Sequence, residues 1–140
     1  MRFMVLVKAT KASEAGALPD AKMLAEMGRY NEELIKAGIL LDGNGLQPSS
    51  KGAKVRISGD KRTVVDGPFT EAKELVAGYW MFQCKSLEEC IEWVRRSPNP
   101  DPTGADHDIE IRQVFEMNDF PDVPPEVKAQ EEAFARSRQK

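Results

Sequence analysis

The residues best suited to chemistry lie in one short stretch of the chain, from Val64 to Glu74. An apolar run ends there in Asp66-Gly67-Pro68-Phe69, and the charged residues Glu71, Lys73 and Glu74 follow at once. Glycine and proline break regular structure, so the chain must turn sharply where Asp66 is presented. We therefore expect this turn to lie at the mouth of a pocket.

The predicted catalytic residues are Asp66, Glu71 and Lys73. Asp66 could act as a general base or anchor a ligand; alternatively, its carboxylate only caps amides of the turn, as Asp often does before Gly. Base chemistry would need a raised pKa, which burial beside a second acid supplies. Glu71 and Lys73 precede an apolar strand, so at least one should point inward, where a lysine would neutralise an anionic substrate. The alternative is a solvated segment with screened ion pairs.

Four further residues are predicted to bind substrate. Tyr79 and Trp80 are neighbours on a predicted strand, so their side chains face opposite sides, and one of them can form a pocket wall. The alternative for each is packing in the core alone, and strand parity does not tell which of the two faces the pocket. Arg56 and Arg112 are cations on strands and could bind a carboxylate or phosphate. Because Arg112 shares a strand face with Glu110, a salt bridge is the alternative for it.

The remaining reactive residue types offer little. The single histidine, His107, is flanked by two aspartates and is interpreted as a surface residue, with a titrating role as the alternative. Cys84 and Cys90 lack a CxxC or CxH companion and are predicted to be buried small hydrophobes. Nucleotide, hydride-transfer, serine-hydrolase and zinc-protease motifs are missing from the sequence. We expect no cofactor and no metal, which leaves cofactor-independent acid/base chemistry on a small molecule, or binding alone.

Length and charge agree with an ordinary soluble domain. The chain has 140 residues, enough for one core, and a net charge of −3 with acids and bases mixed along it. There is no basic block of the kind that binds nucleic acid. The apolar start is too short for a signal peptide or a membrane span. We expect a cytoplasmic protein with neither nucleic acid nor membrane as a partner.

The first half of the chain predicts a strand, a helix and a broken strand. Arg2 to Lys8 reads as a strand, and residues 10–18 as a mobile loop. A helix should begin at Pro19-Asp20 and end before Gly38, because Met and other apolar residues recur there at three- and four-residue spacing. Residues 39–41 read as a short strand that is broken by a turn at 42–45 and continues over 46–48.

The second half predicts a hairpin and a second strand–helix–strand unit. The hairpin joins residues 54–58 to residues 63–65. A long strand follows over 75–84, then a helix capped by Ser86, then a last strand over 108–115. Residues 126–140 are helical by propensity but weakly amphipathic.

This order of elements predicts an α+β fold, a ferredoxin-like split βαβ unit with an inserted hairpin and an antiparallel sheet. Both helices would cover one face of the sheet. Neither side of the first strand is polar, so the second face must also be covered. A second subunit is the economical cover, which predicts a homodimer with the closed core of a dimeric α+β barrel.

Laid out in this way, the chain resembles the YCII-related family in its DGPF branch. The resemblance covers roughly residues 1–116 and rests on Asp42–Pro48, Asp66–Phe69, Glu71, Lys73-Glu74, Gly78–Trp80 and Glu110–Arg112. It implies a dimeric α+β barrel and a largely uncharacterised function. The broader family resembles small-molecule enzymes with a helix histidine and an aspartate as the proposed catalytic pair. The first predicted helix here contains no histidine, so that mechanism is not carried over.

The sequence predicts one domain over residues 1–118, followed by a proline-containing linker and charged helical tail over 119–140. Two functions are predicted for this domain. The first is binding of a small anionic or aromatic molecule in a pocket at the turn, with acid/base chemistry possible there. The second is a non-catalytic dimer that senses a ligand or binds a regulatory partner. Fold cannot separate the two, and whether the protein is an enzyme stays open.

Overall fold

A four-stranded antiparallel sheet with helices packed on one face forms the centre of the chain. The computed structural model describes residues 1–138. Short 3-10 turns lie at Ser49–Lys51, Ala72–Glu74 and Met117–Asp119. The elements in chain order are β1 (Arg2–Lys8), α1 (Lys11–Glu14), α2 (Ala21–Lys36), β2 (Leu40–Gly45), β3 (Ala53–Ser58), β4 (Lys61–Asp66), β5 (Val76–Gln83), α3 (Leu87–Arg95), β6 (Ile109–Gln113) and α4 (Pro125–Arg138).

The topology of the sheet confirms the predicted ferredoxin-like α+β class. The strands lie in the order β2-β5-β1-β6, and every neighbouring pair is antiparallel. Val5 at the centre of β1 pairs with Trp80 of β5 on one side and with Ile111 of β6 on the other. Strands β3 and β4 form the predicted inserted hairpin as a separate two-stranded sheet.

The two faces of the sheet differ in burial. Phe3, Val5 and Val7 of β1 are buried against the helices, while Met4 and Leu6 between them are only half-buried. The core therefore lies on one face, and it includes Trp80 and Phe82 from β5 with Tyr30 and Leu34 from α2. Alternation along a strand produces this division because successive side chains point to opposite faces.

Helix α2 begins and ends as its sequence predicts. Asp20 is the N-cap, and its carboxylate accepts a hydrogen bond of 2.8 Å from the amide of Met23. Gly38 follows the C-cap with a φ of 74°, a left-handed conformation that glycine adopts without a steric penalty. Inside the core, the Tyr30 hydroxyl donates to the carbonyl of Trp93 at 2.6 Å and so fixes α2 against α3.

Both cysteines are buried, as predicted. Cys90 is fully inaccessible in α3 and Cys84 lies just after β5. Burial raises the pKa of the Cys90 thiol to about 12, and it also raises the pKa of Cys84. Both thiols are therefore protonated and inert at neutral pH.

Two sequence predictions about local structure were wrong. Residues 10–18 do not form only a loop, because Thr10 caps the four-residue helix α1 by accepting a hydrogen bond from the Ser13 amide. Residues 42–45 do not form a turn but belong to strand β2, which shifts register with β5 between Leu40 and Asp42 and ends before Leu46. Pairing with β5 overrides the turn preference of Asp42-Gly43-Asn44-Gly45.

The hairpin and the tail lie outside the core. Every residue of β3 and β4 is exposed, and α4 has no buried residue. Over residues 1–138, one chain forms an open sheet and a separate hairpin, so it does not close a barrel by itself. Among the helices of that described part, none is both long and apolar enough to cross a membrane.

Candidate ligand-binding cleft

A cleft of about 800 Å³ lies beside the helix-facing side of β2 and β5. Helix α2 supplies one wall, with Met23, Leu24 and Met27. The remaining walls come from three connecting segments: residues 16–19, 46–51 and 100–107. This volume is in the range of small-molecule sites in proteins.

Trp80 forms the aromatic part of the cleft. Its ring packs edge-on against Tyr30 at 5.7 Å between ring centroids, and its indole N–H donates to the Asn31 side chain at 3.1 Å. Glycine at position 43 makes room for it, because a Cβ there would lie 2.9 Å from Cδ1 of Trp80. Trp80 is thus fixed in orientation with its apolar surface bordering the cleft.

Few charged groups line this cleft. Lys51 lies at the rim, and among residues 1–138 its ammonium takes part in no ion pair. Lys8 also borders the cleft, but its ammonium lies 3.6 Å from Glu110 on the other side of the sheet. The lining is therefore mostly apolar, with one cation at its edge.

Asp101 is a buried carboxylate in the wall of the cleft, with 4 % of its surface exposed. It accepts hydrogen bonds from the hydroxyls of Thr10 and Thr103 and from the amides of Thr103 and Ala105. Burial acts to raise the pKa of Asp101, but these hydrogen bonds outweigh it and lower the pKa to about 2. The carboxylate is thus held ionised and is a poor proton acceptor at neutral pH.

His107 also lines the cleft, which corrects its interpretation as a surface residue. The side chain is half-buried, and its Nδ1 lies 3.1 Å from the carbonyl oxygen of Ala105. Its Nε2 is buried and has no hydrogen-bond partner within residues 1–138. Asp101 and His107 were not among the predicted site residues, and the proline-rich segment that carries them has no periodicity to reveal their burial.

The Asp66–Phe69 turn is held against the rim of the cleft rather than forming it. The peptide bond between Gly67 and Pro68 is cis. The Ser49 hydroxyl accepts a hydrogen bond of 2.9 Å from the Phe69 amide and itself donates to the carboxylate of Glu14 in α1. Since Pro48 and Lys51 line the cleft, this chain of contacts positions one of its walls.

The predicted catalytic residues lie away from the cleft lining. Asp66 is the last residue of β4, where it pairs with Ala53, and its side chain is exposed. Within residues 1–138 its carboxylate accepts no hydrogen bond, so it does not cap the amides of the turn. Glu71 borders a smaller depression of about 250 Å³ beside the turn, together with Lys54 and Phe69. Lys73 is exposed and lines neither space.

Of the predicted binding residues, Tyr79 and Trp80 line the cleft and the two arginines do not. The Tyr79 hydroxyl is hydrogen-bonded to Asp42 and Asn44 at 3.0 Å each, so Trp80 is the member of the pair on the helix side. Arg112 forms the alternative salt bridge to Glu110, at 3.2 Å. Arg56 lies in the exposed hairpin opposite Thr63.

An antiparallel sheet with two helices on one face and a cleft at their edge defines a ferredoxin-like α+β domain. Residues 1–118 match the model of the YCII-related domain, and the chain belongs to that family. It is 26% identical over 102 residues to the uncharacterized protein R00369 of Rhizobium meliloti (strain 1021), covering 73% of this chain and 82% of the relative.

A solved structure with partial similarity is the 5-chloro-2-hydroxyhydroquinone dehydrochlorinase TftG from Burkholderia phenoliruptrix AC1100, in complex with 2,5-dihydroxybenzoquinone. Its sequence identity to this chain is 18% and its TM-score is 0.45, over 85% of this chain and 98% of that one.

Proposed function

We propose that this protein binds a small aromatic anion in the cleft between α2 and the sheet. The observation that carries the proposal is the cleft itself, about 800 Å³ with the fixed Trp80 ring in its wall. An aromatic ligand would gain apolar contact with Trp80 and with Met23 and Met27 of α2. The ammonium of Lys51 at the rim, which has no ion-pair partner within residues 1–138, would attract a carboxylate.

Binding is favoured over catalysis at this site. The one buried carboxylate within residues 1–138, Asp101, already accepts hydrogen bonds from four donor groups and has a pKa of about 2, so it does not serve as a base. The predicted catalytic group of Asp66, Glu71 and Lys73 lies on exposed backbone outside the cleft. A catalytic role for those residues is the second candidate, and it would use the smaller depression that Glu71 borders.

The test is to fill the cleft from the strand that borders it. Gly45 lies two residues from Gly43 on β2, so a side chain at position 45 points to the face that holds Trp80. A Cβ at position 45 meets no atom within 4 Å. We expect Gly45→Phe to weaken binding of 2-naphthoate at least about tenfold in calorimetric titration, which corresponds to roughly 1.4 kcal/mol.

The matched control is Gly45→Ala, which adds a methyl group in the same open space. Its affinity for 2-naphthoate should stay within about twofold of the wild type, since one methyl leaves most of the cleft free. Equal binding by the wild type and Gly45→Phe, with both folded by circular dichroism, would place the ligand elsewhere and overturn the proposal.

We further propose that two copies associate through the face of the sheet that the helices do not pack on. Met4, Leu6 and Met81 lie on this face and are half-buried. Met4 pairs directly with Met81 across the two central strands, so these side chains form a continuous apolar surface. A second copy would cover it and would complete the predicted two-sheet barrel.

A further inference from the structure

His107 has a defined tautomer because of its single hydrogen bond. Its Nδ1 faces the carbonyl oxygen of Ala105 at 3.1 Å, and a carbonyl oxygen can only accept. Nδ1 must therefore carry the proton. In the neutral ring this leaves a lone pair on Nε2, which makes Nε2 a hydrogen-bond acceptor.

No group within residues 1–138 donates to that acceptor. Nε2 is buried and has no partner among residues 1–138, although most buried polar atoms in proteins have one. Leaving such a group unpaired destabilises a protein. A ligand that brought a donor to Nε2 would recover part of this cost on binding.

The position of His107 shows where that donor would come from. The residue is part of the cleft wall, on the segment that also carries Asp101. Asp101 is saturated by donors of the protein, whereas Nε2 is not. Because Nε2 has no contact with solvent, a ligand reaches it only through a small movement of the surrounding wall.

We propose that Nε2 of His107 accepts a hydrogen bond from a hydroxyl group of the cleft ligand, so that the ligand class is a hydroxylated aromatic anion. This inference rests on the proposed binding function and makes it more specific. The aromatic ring of the ligand would lie along Trp80. Its hydroxyl group would let the protein bind it in preference to apolar molecules of similar size. A buried acceptor discriminates strongly in this way, because an analogue without the hydroxyl leaves it unpaired.

The test compares three probes of one shape: 6-hydroxy-2-naphthoate, 6-methoxy-2-naphthoate and 2-naphthoate. One net hydrogen bond is worth about 0.5–1.5 kcal/mol, so the wild type should bind the hydroxy probe about two- to twelvefold more tightly than 2-naphthoate. The methoxy probe, which has the bulk but no donor, should bind no more tightly than 2-naphthoate.

Two variants separate the role of Nε2 from that of Nδ1. His107→Asn keeps an amide N–H near the position of Nδ1, for the Ala105 carbonyl, and removes Nε2. It should bind the hydroxy probe and 2-naphthoate with affinities that differ by less than about twofold, so the preference is lost within that variant. His107→Gln places an amide group near Nε2 and should retain part of the preference.

A measurement on the wild type does not depend on any variant. His107 is the single histidine of the sequence, so a long-range proton–nitrogen spectrum of the untagged protein contains one imidazole. We expect the Nδ1–H tautomer in the free protein, and a shift of the Nε2 resonance with the hydroxy probe that 2-naphthoate does not produce.

The possible failures are distinguishable. If none of the three probes binds the wild type, the proposed binding function is wrong and this inference is wrong with it. If all three bind equally, or if His107→Asn keeps the preference, the binding function stands and the role of Nε2 is overturned. An Nε2–H tautomer in the free protein also contradicts the inference.

Discussion

Asp101 shows how one buried carboxylate organises the wall of the cleft. Its side chain joins Thr10, the N-cap of α1, to the Thr103–Ala105 segment that follows it in the chain. All four partners donate to the carboxylate, and the ionised form accepts from every one of them. The carboxylate therefore stabilises the loop through its charge as well as through its shape.

Replacing Asp101 by Asn should destabilise the protein by about 2 kcal/mol, because an amide group would face donors with a donor of its own. The pKa of Asp101 is depressed to about 2, below its ordinary value of 3.8. Its stabilising contribution is thus fully present above about pH 4 and is lost as the pH falls towards 2. Urea unfolding at pH 7 and at pH 3 checks both statements.

Asp106→Asn is the control for this experiment, since it makes the same change at an exposed position five residues further along. Its free energy of unfolding should stay within about 0.5 kcal/mol of the wild type. A wild-type-like stability for Asp101→Asn at pH 7 would mean that the carboxylate contributes nothing as an ion.

The residues of the cleft were the least predictable part of the molecule. Strand alternation predicted that Tyr79 and Trp80 face opposite sides of the sheet, but it did not tell which of them borders the pocket. Asp101 and His107 were missed because their burial is set by Thr10, which lies 91 positions away from Asp101, and by the cleft around His107. No local pattern in a Pro-Asp-Pro-Thr-Gly segment carries that information.

At the scale of elements, the Asp66–Phe69 turn acts as a connector between the exposed hairpin and the rim of the cleft. Gly67 lies so close to Ser49 that a Cβ on it would be 1.7 Å from the Ser49 carbonyl oxygen. Its φ is not positive, so glycine is required here by close approach and not by conformation. The turn is therefore first a packing feature, and the segment it packs on carries Lys51.

Gly67→Ala should lower the free energy of unfolding by about 2–3 kcal/mol, because the contact is with backbone that must shift. The displaced Ser49 segment should also weaken 2-naphthoate binding, since Pro48 and Lys51 line the cleft. Thermal unfolding and calorimetric titration measure the two effects on the same sample.

The comparison for this variant is Gly45→Ala, where the added Cβ has open space and the stability should change by less than about 1 kcal/mol. If Gly67→Ala is as stable as Gly45→Ala, the approach of the turn to Ser49 is not close in solution, and the turn does not hold the rim.

Most elements were predictable because their signals are local. Helix α2 has an aspartate cap, an apolar stripe and a left-handed glycine, and all three are read from adjacent residues. Strand β2 was not predictable, since its Asp-Gly-Asn-Gly run favours a turn and is extended only through pairing with β5, 35 positions further along. Tertiary pairing decides such segments, and their own sequence does not.

At the scale of the whole molecule, the order of elements determined the ferredoxin-like topology but not the position of the cleft. A strand–helix–strand unit repeated around a hairpin allows few sheet arrangements, and the predicted one is present. The cleft depends on how three connecting segments meet beside α2. Their conformations follow from long-range contacts, so a pocket was expected at the conspicuous turn, where only the smaller depression lies.

The open face of the sheet determines the number of chains that associate in solution. Light scattering coupled to size-exclusion should give twice the chain mass at micromolar concentration, because the apolar surface around Met81 needs a cover. Met81→Glu would place a charge at the centre of this contact without a partner, and we expect it to give the mass of one chain. Gln83→Glu, an exposed position at the end of the same strand, should remain dimeric. A wild type that elutes with the mass of one chain would contradict the dimer, and with it the two-sheet barrel, while leaving the cleft on the opposite face available for the ligand tests.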